Sequence, residues 1–306
     1  MNNFSIAGVQ MRVSGAHTNL PMMKYKLDVL MSIYPWVQMV MFSELCTRGP
    51  LTAFAAPTEE FDREFSEMAK KHKIWLLPGS VFERNDGTIY NTASVYSPEG
   101  EVVGRYRKMF PFYPYEEGVT GGEEFLVFDV PNVARFGVSI CYDMWFPETT
   151  RTLASMGAEV ILHPTLTNTI DREIELSIVR ATAAINQCFI FDINGLEAGG
   201  NGQSIVCGPD GRVLYQAHTS EEIIPLEIDI DRVHRSREKG VLRLGQTLKS
   251  WRDRKVRFDI YDTGRIFPYL DSLGPIEKLK QTTTIEEAYS REAPSAFPVS
   301  STIPKS

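Results

Sequence analysis

Arg135-Phe-Gly-Val-Ser-Ile-Cys141-Tyr-Asp-Met-Trp-Phe-Pro147-Glu-Thr-Thr-Arg151 is the stretch whose reading decides the fold of this chain. The apolar run before Cys141 has the composition of a buried strand. Pro147 followed by Glu148 marks the first turn of a helix, where proline's missing N–H leaves no bond unmade. Cys141 is therefore expected on a strand-to-helix turn. Such a turn lifts a side chain off the edge of a sheet and aims backbone N–H groups at whatever binds there, which suits a nucleophile whose product is an oxyanion. A free cysteine is most often inert packing, so the reading of Cys141 depends on what accompanies it elsewhere in the chain.

Toward the N-terminus, Phe4 to Gln10 alternates as a first strand and Leu20 to Ile33 reads as an amphipathic helix. Val37 to Ser43 reads as a second strand that delivers Glu44 at its C-terminal end, the end at which open α/β sheets bind ligands. Thr58-Glu-Glu-Phe61 resembles a capped helix start, and Phe61, Phe65, Met68 and Ala69 continue one apolar stripe. Ile74 to Val81 is expected as a strand and Asn85-Asp-Gly87 as a turn. Tyr90 to Tyr96 and Glu101 to Arg107 form a hairpin whose outgoing strand ends at Lys108. The segment after Lys108, from Met109 to Gly122, is rich in proline, glycine and aromatic residues and is a candidate pocket wall.

Toward the C-terminus the pattern continues with a helix from Pro147 to Met156 and a strand from Ala158 to His163. A helix from Asp171 to Gln187 places Ile174, Ile178, Ala181 and Ile185 on one face. Cys188 to Ile193, Gln203 to Cys207, Val213 to Ala217 and Ile223 to Ile230 read as strands, the middle two joined by Gly208-Pro-Asp-Gly211. Alternating strands and helices with interspersed hairpins predict an α/β fold of mixed sheets covered by helices. Residues 1–262 form the expected domain and 263–306 an extension. Gln281 to Ser306, rich in Ser, Thr and Pro, is expected to be disordered or to lie on a partner subunit. Arg252 to Tyr261 alternates like a further strand.

With 43% hydrophobic and 23% charged residues, the chain is of ordinary globular composition. A net charge of −7 leaves no broad basic surface for nucleic acid or anionic lipid, so the expected partner is a small molecule. The N-terminus lacks the basic and apolar regions of a signal peptide, which points to the cytoplasm. The four cysteines are scattered without Cys-x-x-Cys spacing, so no zinc knuckle or redox dithiol is indicated.

Glu44, Lys108 and Cys141 thus stand at three strand ends and supply a base, a cation and a thiol, the set that acyl transfer through a thioester requires. At Phe42-Ser-Glu44-Leu, Gly104-Arg-Tyr-Arg-Lys108 and Ser139-Ile-Cys141 through Arg151, the chain resembles the nitrilase superfamily of carbon-nitrogen hydrolases, over roughly residues 4 to 235. The resemblance implies a four-layer αββα sandwich with two mixed sheets, a homodimer or larger homo-oligomer, and no metal or organic cofactor. It implies Glu44 as general base, Cys141 as nucleophile and Lys108 as oxyanion stabiliser beside the Tyr142 N–H, with Asp143, Glu148 and Arg151 as scaffold. The loop after Lys108 is similar to that of the aliphatic amidase and formamidase branch, which makes Glu116 a second catalytic carboxylate in preference to Glu117.

The expected substrate is a small uncharged amide, because Cys-Tyr-Asp replaces the Cys-Trp-Glu of true nitrilases. Met144 and Trp145 stand where N-carbamoyl-amino-acid hydrolases carry paired arginines. Phe112, Tyr115, Tyr142, Trp145 and His163 are the expected substrate-binding residues, in a largely apolar pocket. N-carbamoyl amine and nitrile hydrolysis, a Cys141–His163 pair, and an inactive binding member of the family are the alternatives. The five histidines show no metal-ligand spacing.

Overall fold

A computed structural model of the chain describes residues 2–276 except Pro114 and Thr263; the tail from Gln281 lies outside the described residues. The first half runs β1 (Asn3–Gln10), β2 (Arg12–Val13), α1 (Leu20–Ile33), β3 (Met39–Phe42), α2 (Glu59–His72), β4 (Trp75–Leu77), β5 (Val81–Asn85), β6 (Thr88–Tyr96) and β7 (Val102–Arg107). There follow β8 (Leu126–Val130), β9 (Ala134–Val138), α3 (Pro147–Ser155), β10 (Val160–Thr165), α4 (Arg172–Asn186) and β11 (Phe189–Asn194). The described chain closes with β12 (Leu196–Glu197), β13 (Gly200–Asn201), β14 (Ile205–Cys207), β15 (Val213–Gln216), β16 (Glu222–Asp229), α5 (Asp231–Lys239), α6 (Thr247–Arg252) and α7 (Pro268–Ser272).

Two mixed sheets result. One has the order β16-β1-β3-β4-β6-β5 with β7 paired to β6, the other the order β15-β14-β11-β10-β9-β8, and β13-β12-β2 forms a small third sheet. The strand period of two assigns the faces of β1: Phe4 and Ile6 enter the core between the sheets, whereas Ala7 and Val9 pack under α1 and α2. Phe136, Val138, Val160, Leu162, Phe189 and Phe191 meet them from the second sheet. Ile161 and Ile190 face the other way, onto α3 and α4 with Leu153, Leu176 and Val179. The layers are therefore helix, sheet, sheet, helix, with no closed barrel. Gly8 lets the sheets approach, since a Cβ there would lie 2.2 Å from Ile193 Cδ1.

Three expectations require correction. Ile74 to Val81 is not one strand: Pro78 cannot donate to a ladder, and Gly79 turns the chain at φ +79°, where a Cβ would lie 1.9 Å from the Ser43 carbonyl. Arg252 to Tyr261 is not a strand, because Arg252 ends α6 and a 3₁₀ turn spans Asp259–Tyr261. Of the Ile174/Ile178/Ala181/Ile185 face of α4 only Ile178 packs against the core; Arg172, Glu175, Leu176, Val179 and Ala183 are the buried residues, and Ile174 is 53% exposed. No described helix is long and apolar enough to cross a membrane.

Candidate active site

Three segments leave the sheets at one cavity of about 230 Å³. Glu44 follows β3, its N–H bonded to the Thr165 carbonyl at the end of β10 in the other sheet, so the two sheets are joined at this residue. The next residue, Leu45, takes φ 50° and donates its N–H to Ser80 Oγ. Lys108 follows β7 directly, and its N–H bonds to the Asn91 carbonyl of β6 at 2.8 Å. Cys141 begins a 3₁₀ turn over Cys141–Trp145 that connects β9 to α3, as the strand-to-helix reading requires.

Lys108 Nζ lies 2.9 Å from Glu44 Oε1 and 2.7 Å from Glu116 Oε2, and all three side chains are almost completely buried. Glu116 also accepts from the Phe112 N–H at 2.7 Å, which folds the aromatic loop back over the lysine. Glu117 is exposed. Burial disfavours the ammonium, but the charges of Glu116 and Glu44 outweigh it and hold the Lys108 pKa well above its ordinary value. Burial and the charge of Glu116, against the pull of Lys108, push Glu44 up to about 7.

Cys141 Sγ lies 3.7 Å from the Leu166 carbonyl and lines the cavity together with Glu44. Burial, then the Glu44 charge, raises the thiol well above its ordinary range, so Cys141 rests as the thiol. The backbone at Cys141 is left-handed, φ 45°, a conformation that costs a residue with a Cβ on the order of 1 kcal/mol or more. Asp143 holds the turn in this state. Its carboxylate accepts from Ile140 N at 2.9 Å, Tyr106 OH at 2.7 Å, Met109 N at 3.0 Å and Phe110 N at 2.9 Å. One buried side chain thus ties the Cys141 turn to the segment on both sides of Lys108.

Tyr142, Phe112 and Tyr115 line the cavity, their rings packed against one another at centroid separations of 4.9 Å (Phe112–Tyr142) and 5.3 Å (Phe112–Tyr115). Trp145 and His163 do not line it, which corrects their assignment as substrate-binding residues. Trp145 turns its indole N–H to Glu175 Oε1 at 3.2 Å. His163 Nδ1 is 2.8 Å from Ser139 Oγ, and burial lowers its pKa to about 4, so it is neutral and engaged away from Cys141. The wall is also less apolar than expected: Thr167, Asn168, Asp171 and Glu175 line the side opposite the aromatic loop. Glu175 accepts from Thr167 Oγ1 at 2.6 Å and from Arg172 Nη1 at 3.3 Å. Glu148 and Arg151 point to different neighbours, Tyr261 OH and the Trp251 ring.

Sequence reasoning missed this polar wall, which a loop and the first turn of α4 assemble without a motif. It also missed Asn91, for which a signal existed: asparagine is depleted in strands, and this one stands in the middle of β6. Among the described residues, no group of three or more His, Cys, Asp or Glu side chains is placed to hold a metal ion.

Residues 31–238 match the family model for carbon-nitrogen hydrolases. The chain belongs to the carbon-nitrogen hydrolase family. Human omega-amidase NIT2 is 29% identical over 195 residues, covering 59% of this hydrolase and 70% of that protein. A formamidase of Bacillus cereus is 31% identical over 210 residues, covering 64% and 63%. The crystal structure of Saccharomyces cerevisiae Nit3, a member of branch 10 of the nitrilase superfamily, superposes with a TM-score of 0.71 at 25% identity, covering 78% of this hydrolase and 94% of Nit3. The chain is accordingly an enzyme that hydrolyses carbon-nitrogen bonds, in the nitrilase superfamily.

Proposed function

We propose that this hydrolase cleaves a small uncharged amide to a carboxylic acid and ammonia through a thioester on Cys141. The observation that carries the reading is a buried ammonium clamped between two carboxylates in a cavity that, among the described residues, one cysteine lines, Cys141. Glu44 takes the thiol proton as Sγ bonds to the amide carbon. The carbonyl electrons move onto oxygen, where the Lys108 ammonium and the Tyr142 N–H stabilise the oxyanion. The oxyanion collapses, the C–N bond breaks, and the proton held by Glu44 goes to the departing nitrogen. Water then attacks the thioester, giving a proton to Glu44, and the C–S bond breaks to restore the thiol and release the acid. Glu116 fixes Lys108 throughout and is the second acid-base group across the site.

An amide is favoured because the relatives include an omega-amidase and a formamidase. An uncharged one is favoured because, among the described residues, no arginine lines the cavity to receive a carboxylate. An ammonia-release screen over formamide, short aliphatic amides, aryl amides, carbamoyl amines and the matching nitriles tests this. Turnover confined to nitriles or carbamoyl amines overturns the substrate class.

The enzyme is also proposed to work in the cytoplasm, to which its four free thiols are suited, and as a homo-oligomer. The outward face of α4, with Ile174 53% and Ile185 41% exposed, is the surface offered to a second copy. Light scattering should show a multiple of 34.6 kDa that falls to the monomer in the Ile174→Asp/Ile185→Lys variant. An unchanged mass would move the interface elsewhere.

A further inference from the structure

Asn91, in the middle of β6, is fully buried and is not one of the residues lining the cavity, yet it touches both carboxylates of the site. Its Nδ2 donates to Glu44 Oε1 at 2.8 Å and to Glu116 Oε1 at 2.7 Å. One amide nitrogen thus gives both of its hydrogens to two like-charged groups. Its orientation is forced: carboxylates only accept, so a reversed amide would set Oδ1 against both of them. The consequence is visible on the other side, where Oδ1 is buried without a hydrogen-bond partner. A buried acceptor left unpaired works against folding, and its retention points to a service rendered at the nitrogen.

That service is legible in the geometry. On Glu44, Asn91 and Lys108 converge on the same oxygen, Oε1, so neither occupies the second oxygen of this carboxylate, and Glu44 lines the same cavity as Cys141. On Glu116 they divide the oxygens, Asn91 taking Oε1 and Lys108 taking Oε2. Two carboxylates in one buried site repel, and one ammonium neutralises only one of them. The charged or titratable groups facing the pair are Lys108 from the end of β7 and Cys141 from the turn after β9. Farther out, Glu175 acts on Cys141, and Asp143 and His163 feel Lys108.

We propose that Asn91 is a positioning residue that holds Glu44 and Glu116 aligned around Lys108, so that Glu44 meets the Cys141 thiol as a base at neutral pH. The inference rests on the amide-hydrolase reading for one of its two measurements only. Losing a hydrogen bond to an ionised group raises the titration of that group by about 1–2 pH units. Interacting groups in one site give macroscopic values, so the shift is read as an apparent pKa of the site.

Asn91→Leu, near in size and without a donor, and Asn91→Asp, equal in shape and adding a third carboxylate, are compared with wild type after circular dichroism and thermal unfolding establish the fold. Two pH profiles are taken: kcat/KM on the best amide of the screen, and the rate of Cys141 alkylation by iodoacetamide, read by peptide mass spectrometry. The acid limb of both profiles should move up by about 1–2 pH units in Asn91→Leu and at least as far in Asn91→Asp. Amide turnover at pH 7 should fall about 10-fold or more. Unmoved profiles in either folded variant, whatever the loss of rate, overturn the inference and leave Asn91 as packing. If wild type turns over no amide, the functional reading fails on its own, and the alkylation profile still decides the role of Asn91.

Discussion

Glu116→Gln tests the second carboxylate most directly, because it keeps the side chain's shape and removes its charge. In the folded protein Glu116 meets three donors: Lys108 Nζ, Asn91 Nδ2 and the Phe112 N–H, each at 2.7 Å. A glutamine offers one oxygen to these three and turns its own NH₂ toward at least one of them. The lost ion pair is worth about 6 kcal/mol gross at 2.7 Å and an effective dielectric of about 20. Not all of this is forfeited, since Glu44 remains 2.9 Å from Lys108 and keeps the ammonium paired. We expect about half to appear in the barrier, ~3 kcal/mol or roughly 10² in turnover. The assay is ammonia release at saturating amide, with Glu117→Gln as the control at the exposed neighbour. A larger loss at Glu117, or small equal losses at both, would refute the assignment. A normal kcat with a raised KM would show that Glu116 only shapes the aromatic loop.

Cys141→Ala should abolish turnover and leave the melting temperature near wild type, because the thiol borders a cavity and its removal leaves little new void. More than a few per cent of residual activity, or no acyl adduct on wild-type Cys141 by intact-protein mass spectrometry, argues against the thioester. Lys108→Gln should lower kcat by about 10² or more, the scale of one oxyanion donor, and Lys108→Arg should not rescue it, because a planar fork does not fit between Glu44 and Glu116. A Lys108 variant with normal kcat and raised KM would mark the lysine as binding only. Glu44 must be ionised to accept the thiol proton and its pKa is pushed up to about 7, so kcat/KM should fall as pH drops below about 7. An acid limb below pH 5 excludes Glu44 as the base. The linked effect on stability has the opposite sense: a carboxyl that binds protons more tightly when folded favours folding most below its unfolded value of 4.5, and that contribution is lost as pH rises through 7.

The strand ends were legible because each is announced locally. Phe42-Ser-Glu44 and Arg107-Lys108 close apolar runs, and Pro147 marks the helix that must follow the Cys141 turn. The partners of those ends were not, because they are made by tertiary contact between distant segments. Asn91 reaches Glu44 across 47 positions, and Asp143 reaches Met109 across 34. Helix periodicity predicted that α4 has two faces but not which face turns inward. The face that does is mixed: Leu176 and Val179 pack under the sheet, while the buried Arg172 bonds to Glu175 and Asp192. Of the purely apolar stripe, Ile174 and Ile185 are left exposed while Ile178 packs half-buried against the same cluster. His163 and Trp145 lie off the cavity for a related reason, since a place at a strand end or in the Cys141 turn does not say which side a side chain takes.

The same burial that raises Glu44 also raises Cys141, and this decides how the site rests. Thiol reactivity toward oxidants and alkylators follows the thiolate, so a nucleophile activated by a low pKa is reactive whether or not substrate is present. Here the ammonium beside the thiol is already shared by two carboxylates, and little of its field is left to draw a proton off sulfur. In the proposed reaction, the thiolate becomes favourable only as its charge passes to a carbonyl oxygen placed at Lys108 and the Tyr142 N–H, when Glu44 takes the proton and its repulsion of the sulfur vanishes with it. Activation is thereby tied to the presence of an acyl group, and the two carboxylates that make the lysine's position stable are also what keeps the cysteine quiet in its absence.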